Sequence, residues 1–165
     1  VLIFICLLIG KLILLSLYIF AFNRKYFYEN WITKESYLIV VCGIVRKNPG
    51  IIICQRKKNP YEGYWEFPGG KLEKGETKRQ CLNRELAEEL NIRVSVDRLF
   101  SVVSYNYDGI NIHLFCYLCS YLRGTIRLTE HQSFAVTQYS ELSRFKLLAG
   151  NVKIAKKLKY SNFIN

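Results

Sequence analysis

The spacing of apolar positions changes along the chain, and the changes mark the elements. Residues Tyr37 to Arg46 form an almost unbroken apolar run, the mark of a strand buried on both faces. The turn Lys47-Asn48-Pro49-Gly50 separates it from a second run, Ile51 to Arg56, and the two read as a hairpin. Lys57 to Tyr64 reads as a loop. From Thr77 to Leu90 the period lengthens: Leu82, Leu86 and Leu90 fall at i, i+4 and i+8, one stripe of a helix. Val94 to Tyr107 and Ile110 to Tyr121 predict strands joined at Asp108-Gly109, a turn signal. Phe134 to Gln138 predicts a short strand. Ser140 is placed to cap a short helix with Glu141 in its first turn. Asn151 to Tyr160 predicts a final basic amphipathic helix. No internal repeat or low-complexity tract interrupts these elements, and periodicity alone gives an α/β or α+β class.

Residues 1–22 differ in kind. Val1 to Phe22 is apolar apart from Gly10, Lys11, Ser16 and Tyr18, and is long enough to span a bilayer. Lys11 costs about 2.5–3.5 kcal/mol on the insertion scale, which the surrounding Leu, Ile, Val and Phe residues outweigh at about −0.3 to −0.6 kcal/mol each. There is no basic n-region and no small-residue cleavage site, so a cleavable signal is disfavoured. Arg24 and Lys25 would leave the following chain in the cytoplasm. The competing reading is a spurious extension. The chain contains no methionine, and its first residues are rich in Ile, Leu, Phe, Tyr, Lys and Asn, as translated AT-rich upstream sequence would be. Both readings stay open. The expected organisation is therefore segment 1–22, linker 23–35 and a folded domain 36–165, cytoplasmic or tethered to the cytoplasmic face of a membrane.

Charge and cysteine content narrow the classes. The formal net charge of +11 favours polyanionic ligands, but the basic residues are spread along the chain and densest in Lys153 to Lys159. The pattern reads as a mixture of an ordinary basic helix surface and attraction for polyanionic nucleotides, and no stable nucleic-acid partner follows from it. The six cysteines lie in apolar or helical stretches and form no disulfide framework; buried free thiols are expected. Cys116 and Cys119 would point to opposite faces of a strand, which disfavours zinc or redox chemistry.

The chemistry lies in the predicted helix. Glu85, Glu88 and Glu89 fall at i, i+3 and i+4, on one face. Three crowded carboxylates repel each other unless something positive lies against them. Mg²⁺ takes carboxylate oxygens together with substrate phosphates. A solvated acidic face is the plain alternative. It accords poorly with a basic chain that gathers these acids beside a leucine stripe, just after the loop Phe67-Pro68-Gly69-Gly70.

The run from Gly70 to Ile92 resembles the Nudix signature, G-x5-E-x7-R-E-U-x-E-E-x-G-U with U a bulky aliphatic residue. Gly70, Glu76, Arg84, Glu85, Leu86, Glu88, Glu89 and Ile92 fall in place. Asn91 stands where the signature has glycine, just after the helix, where left-handed backbone is usual and asparagine is the next best residue. The preceding Trp65-Glu66-Phe67-Pro68-Gly69-Gly70-Lys71 is similar to the MutT-like branch, the oxidised-purine nucleoside triphosphate diphosphatases. The resemblance covers about Tyr37 to Lys159.

That resemblance implies an α/β/α sandwich around a mixed sheet, of α/β (α+β) class. It implies Mg²⁺, for which Mn²⁺ would substitute, and hydrolysis of 8-oxo-dGTP to the monophosphate and pyrophosphate, cleansing the nucleotide pool and avoiding mutation. Glu85, Glu88, Glu89 and the Gly70 carbonyl are the implied metal ligands. Glu76 is implied as structural, and Arg84 as the residue orienting the catalytic glutamates. Glu130, in Thr129-Glu130-His131-Gln132, stands where the branch places a further metal-binding or base glutamate; the general base stays open between Glu85 and Glu130. His131 reads as polar surface. Arg56 matches a nucleotide-contacting position, with a strand-end surface arginine as the alternative. Lys71 could contact phosphates, and Phe67 could line the base pocket or pack in the core. Asn151 stands where related enzymes set an Asn or Asp on the purine edge; the alternative is a helix N-cap. A monomer is expected, with a membrane partner only through residues 1–22. The rival functions are a Nudix pyrophosphohydrolase for a pyrimidine triphosphate or a nucleoside diphosphate derivative, and a non-catalytic nucleotide- or lesion-binding module. The intact glutamates disfavour the module.

Overall fold

The computed structural model describes residues 37–107 and 109–160. The hydrophobic segment 1–22, the linker 23–35, Cys6 and Asp108 lie outside them. Four strands precede the first described helix: β1 (Leu38–Lys47), β2 (Gly50–Arg56), β3 (Trp65–Glu66) and β4 (Gly69–Lys71). Helix α1 (Lys78–Leu90) follows, then β5 (Ile92–Tyr107), β6 (Ile110–Gly124), β7 (His131–Thr137), a 3₁₀ turn (Tyr139–Arg144) and α2 (Ala149–Lys159). The strands make one mixed sheet in the order β3-β2-β1-β6-β5, with β4 paired to β1 and β7 to β2. Among the described strands, only β1 and β6 pair in parallel, from Leu38 opposite Ile112 to Arg46 opposite Ser120.

The apolar periods account for the layers. The Leu82, Leu86, Leu90 stripe is fully buried against Val41, Val45, Ile52 and Cys119 on one face of the sheet. Leu142, Leu147, Ile154 and Leu158 cover the other face, against Cys42, Ile44, Ile53 and Cys116. This is the expected helix–sheet–helix layering. Cys116 and Cys119 do point to opposite faces, and the five described cysteines are buried and unpaired. Burial pushes the Cys81 and Cys119 thiols up to about 12, so neither is a nucleophile at neutral pH.

The structure departs from the expected elements in four places. The β1–β2 hairpin closes only at its turn, where Arg46 faces Ile51 and Lys47 faces Gly50. Farther along, β1 pairs with the short β4, an element with too few residues to show a period. The segment after β7 is a 3₁₀ turn preceded by Gln138, and Ser140 does not cap it. The short strand starts at His131, three residues earlier than expected, because His131 registers against Arg56.

Helix α1 starts and stops on local chemistry. Thr77 and Gln80 form a reciprocal capping box. Asn91 ends the helix at φ 55°, in the left-handed conformation expected where the signature has glycine, and its N–H donates to Ala87 and Leu86 carbonyls.

Candidate active site

The tight approach of β4 to α1 sets the position of Glu85. A methyl group on Gly70 would lie 2.2 Å from the Glu85 carboxyl carbon. Only glycine lets the carboxylate rest against the strand backbone there. Gly69, at φ 145°, approaches the Val41 carbonyl with the same lack of room.

Arg84 ties the acidic helix together. Its Nε and Nη2 donate to the two oxygens of Glu76 at 2.7 and 3.1 Å, a fork-to-fork pair. Its Nη1 lies 3.1 Å from Glu85 and 3.2 Å from Glu88. Arg84 holds the Glu76 carboxyl below the usual range, and Glu76 in turn accepts from the Glu73 N–H. The exposed Glu88 and the part-buried Glu85 thus turn toward Arg84. Among the described residues, no three acidic, histidine or cysteine side chains converge closely enough to hold a cation as they stand.

Glu89 is different. Its Oε2 is buried with no hydrogen-bond partner. Desolvation pushes its carboxyl up to about 7; His131 opposes that shift, while Glu85, Glu66 and Glu130 add to it. Burial raises Glu85 as well. An orphaned, hard oxygen donor beside further carboxylates is what a divalent cation binds, so the donor set of Glu85, Glu88 and Glu89 fits such an ion.

The raised Glu89 has a measurable sign. Its folded value lies above the unfolded value of 4.5. The contribution of Glu89 to stability is therefore fully present below pH 4.5 and is lost as the pH rises through 7, by on the order of 3 kcal/mol in the metal-free protein. A cation must displace that proton. Mn²⁺ affinity measured by calorimetry is expected to rise about tenfold per pH unit up to 7 and then level off. A flat affinity between pH 5.5 and 7 would contradict this.

Beside Glu89 opens a cleft of about 130 Å³ lined by Arg56, Lys57, Lys58, Glu66, Glu130 and His131. That volume is below the usual range for a whole small-molecule pocket and suits the phosphate end of a ligand. A larger cavity of about 540 Å³ lies between the 3₁₀ turn and α2, but no acidic side chain lines it. Chemistry, not size, marks the site.

Two residues in the cleft were not legible in the sequence as site residues. Glu66 receives Arg56 Nη1 on both oxygens, at 3.0 and 3.2 Å, and lies 3.3 Å from His131 Nε2. His131 is buried, contrary to its reading as polar surface, because β7 carries it under Glu66. Arg56 is likewise no free surface arginine: its guanidinium is engaged by Glu66 and its Nε is buried without a partner. Glu130 does reach the cleft, exposed and paired with Lys58, which holds its carboxyl below the usual range. Lys71 is exposed at the end of β4, and its carbonyl accepts from Arg84.

Asn151 overturns its capping reading. Leu148 is the N-cap of α2, and Asn151 lies inside the first turn, buried. Its Oδ1 accepts from the Phe67 N–H at 2.8 Å, which joins α2 to the β3–β4 loop. Phe67 packs in the core. The amide oxygen is thus already engaged, so the amide cannot be wholly devoted to a bound base.

A profile of the NUDIX domain matches residues 36–158. The CTP pyrophosphohydrolase of Escherichia coli (strain K12) is 32% identical over 116 residues, 70% of this chain and 86% of that protein. The 8-oxo-dGTP diphosphatase of Proteus vulgaris is 40% identical over 83 residues, 49% of this chain and 74% of that protein. The solution structure of the E. coli ORF135 protein superimposes with a TM-score of 0.70 at 28% identity, over 79% of this chain and 96% of that one.

Proposed function

This chain belongs to the NUDIX family of nucleotide-anhydride hydrolases, and from that premise we propose that it is a magnesium-dependent nucleoside triphosphate diphosphatase acting on oxidised purines, 8-oxo-dGTP foremost. The observation that carries the reading is the buried, partnerless Glu89 oxygen among further carboxylates, beside a cleft of phosphate size. Glu85, Glu88, Glu89, Glu130 and the Gly70 carbonyl would hold the cation. When bound, such an ion neutralises phosphate charge and makes water easier to deprotonate.

The chain's own residues supply the rest. Arg84, fixed on Glu76, aims Glu85 and Glu88. Burial sets Glu85 nearer neutrality than Glu130, which Lys58 holds low. A general base works best near the operating pH, so between Glu85 and Glu130 we propose Glu85 as the proton acceptor from the attacking water. Attack at a phosphorus of the triphosphate would release the nucleoside monophosphate and pyrophosphate. Nucleoside diphosphate and orthophosphate as products would sink this regiochemistry.

The oxidised-purine preference rests on the similarity of Trp65 to Lys71 to the MutT-like branch and on the 8-oxo-dGTP diphosphatase relative; Asn151 supports a purine base. The buried Asn151 amide can add a donor to a purine O6 while Oδ1 serves Phe67. A second reading, a pyrimidine triphosphate as substrate, is favoured by the CTP pyrophosphohydrolase relative, whose match spans more of both chains. Asn151 separates structure from readout. Asn151→Ala leaves the Phe67 N–H without its acceptor and is expected to cost about 1–3 kcal/mol of stability. Asn151→Asp keeps an acceptor and loses the amide donor. It is expected to lower kcat/KM for both 8-oxo-dGTP and dGTP, which carry the same O6, by about tenfold, with smaller thermal destabilisation than the alanine variant. Unchanged kcat/KM for both purine triphosphates in Asn151→Asp would confine Asn151 to joining α2 and the loop.

A further inference from the structure

The cleft holds one contact that the proposed chemistry leaves unused. Lys58 Nζ lies 2.6 Å from Glu130 Oε2, although the two residues are 72 apart in the chain. They meet because Arg56, at the end of β2, registers against His131, at the start of β7. The residues beyond each end then face one another across the cleft, with Lys57 beside them. Resting on the metal reading above, we propose that Lys58 is a phosphate-binding residue that exchanges partners: it neutralises Glu130 in the free protein and turns to the nucleotide's phosphates once Glu130 engages the cation.

Three observations carry this. First, the pair is exposed, 66% for Lys58 and 53% for Glu130, so solvent screens it and it separates at little cost. Second, the neighbouring cation is committed elsewhere. Arg56 is 31% exposed, and its Nη1 is held by both oxygens of Glu66, itself 17% exposed. Third, the cleft balances three basic residues, Arg56, Lys57 and Lys58, against three carboxylates, Glu66, Glu89 and Glu130. A cation drawing on Glu89 and Glu130 upsets that balance and leaves positive charge facing the phosphates. Lysine suits the exchange: its ammonium is a compact point charge on a flexible stem, with three donors that re-aim without a fixed plane.

The exchange predicts opposite signs for two measurements, which a merely structural role for Lys58 would not produce. In Lys58→Met, Mn²⁺ no longer competes with the ammonium for Glu130. Nucleotide-free Mn²⁺ binding, measured by calorimetry, is expected to tighten about two- to fivefold. The KM for the triphosphate is expected to rise about three- to tenfold, with kcat within about twofold of wild type. Lys58→Arg keeps the charge and is expected to restore KM to within about twofold. Unchanged or weaker Mn²⁺ binding in Lys58→Met, or an unchanged KM, would overturn the exchange. The metal reading fails by a different route. If wild type binds no Mn²⁺, or if Glu89→Gln binds it as well as wild type, that reading falls whatever Lys58→Met does, and the exchange falls with it.

Discussion

Glu89→Gln is expected to lower kcat/KM by on the order of 10³, about 4 kcal/mol of transition-state stabilisation. The substitution keeps the size of the side chain and removes its charge. It acts on the one carboxylate oxygen of the helix that is buried without a partner. The same change should not weaken the metal-free fold at pH 8. There the wild-type carboxylate is ionised against its environment, since burial pushes it up to about 7. Glutamine removes that burden. Lost activity together with a metal-free melting temperature no lower than that of wild type is therefore the signature of a metal ligand. A surface glutamate would lose neither. A purely structural one would lose both. Activity within tenfold of wild type would remove Glu89 from the site.

Gly70→Ala is expected to lower kcat by about a hundredfold through a single methyl group. The added carbon would stand 2.2 Å from the Glu85 carboxyl carbon, so the carboxylate must move. Gly70 faces Val41 in the β1–β4 pairing, and the three nearest atoms all belong to the flexible end of Glu85. The fold should survive while Glu85 leaves its place between Gly70 and Arg84. A double-mutant cycle isolates that cause. In a Glu85→Ala background, Gly70→Ala should add almost no further loss, because the carboxylate it displaces is gone. Additive losses would assign the effect to the β4 backbone instead.

Much of this site was legible in the sequence because its parts are local. The leucine stripe, the three glutamates and the Asn91 terminus all lie within one helix, where a period of 3.6 fixes which residues share a face. The alternation of apolar periods gave no more than an α/β or α+β class; the α/β/α layering came from the resemblance. What sequence reading missed is tertiary. Glu66 belongs to a two-residue strand whose importance comes from Arg56 and His131, 10 and 65 residues away. His131 looks like a loop residue until β7 registers against β2 and buries it. Asn151 has the right composition for an N-cap, but the helix begins earlier, at Ala149, and the amide finds a backbone partner 84 residues away. Ion pairs and strand register across such separations leave no period in the sequence.

The central claim is a metal-dependent diphosphatase that prefers an oxidised purine. The most direct test is kcat/KM for 8-oxo-dGTP, dGTP and CTP under identical Mg²⁺, with each product identified, using the wild-type protein. The account predicts that 8-oxo-dGTP is turned over most efficiently, at least about tenfold above dGTP, and that all activity disappears in EDTA. CTP as the best of the three substrates, or hydrolysis that persists in EDTA, would contradict it.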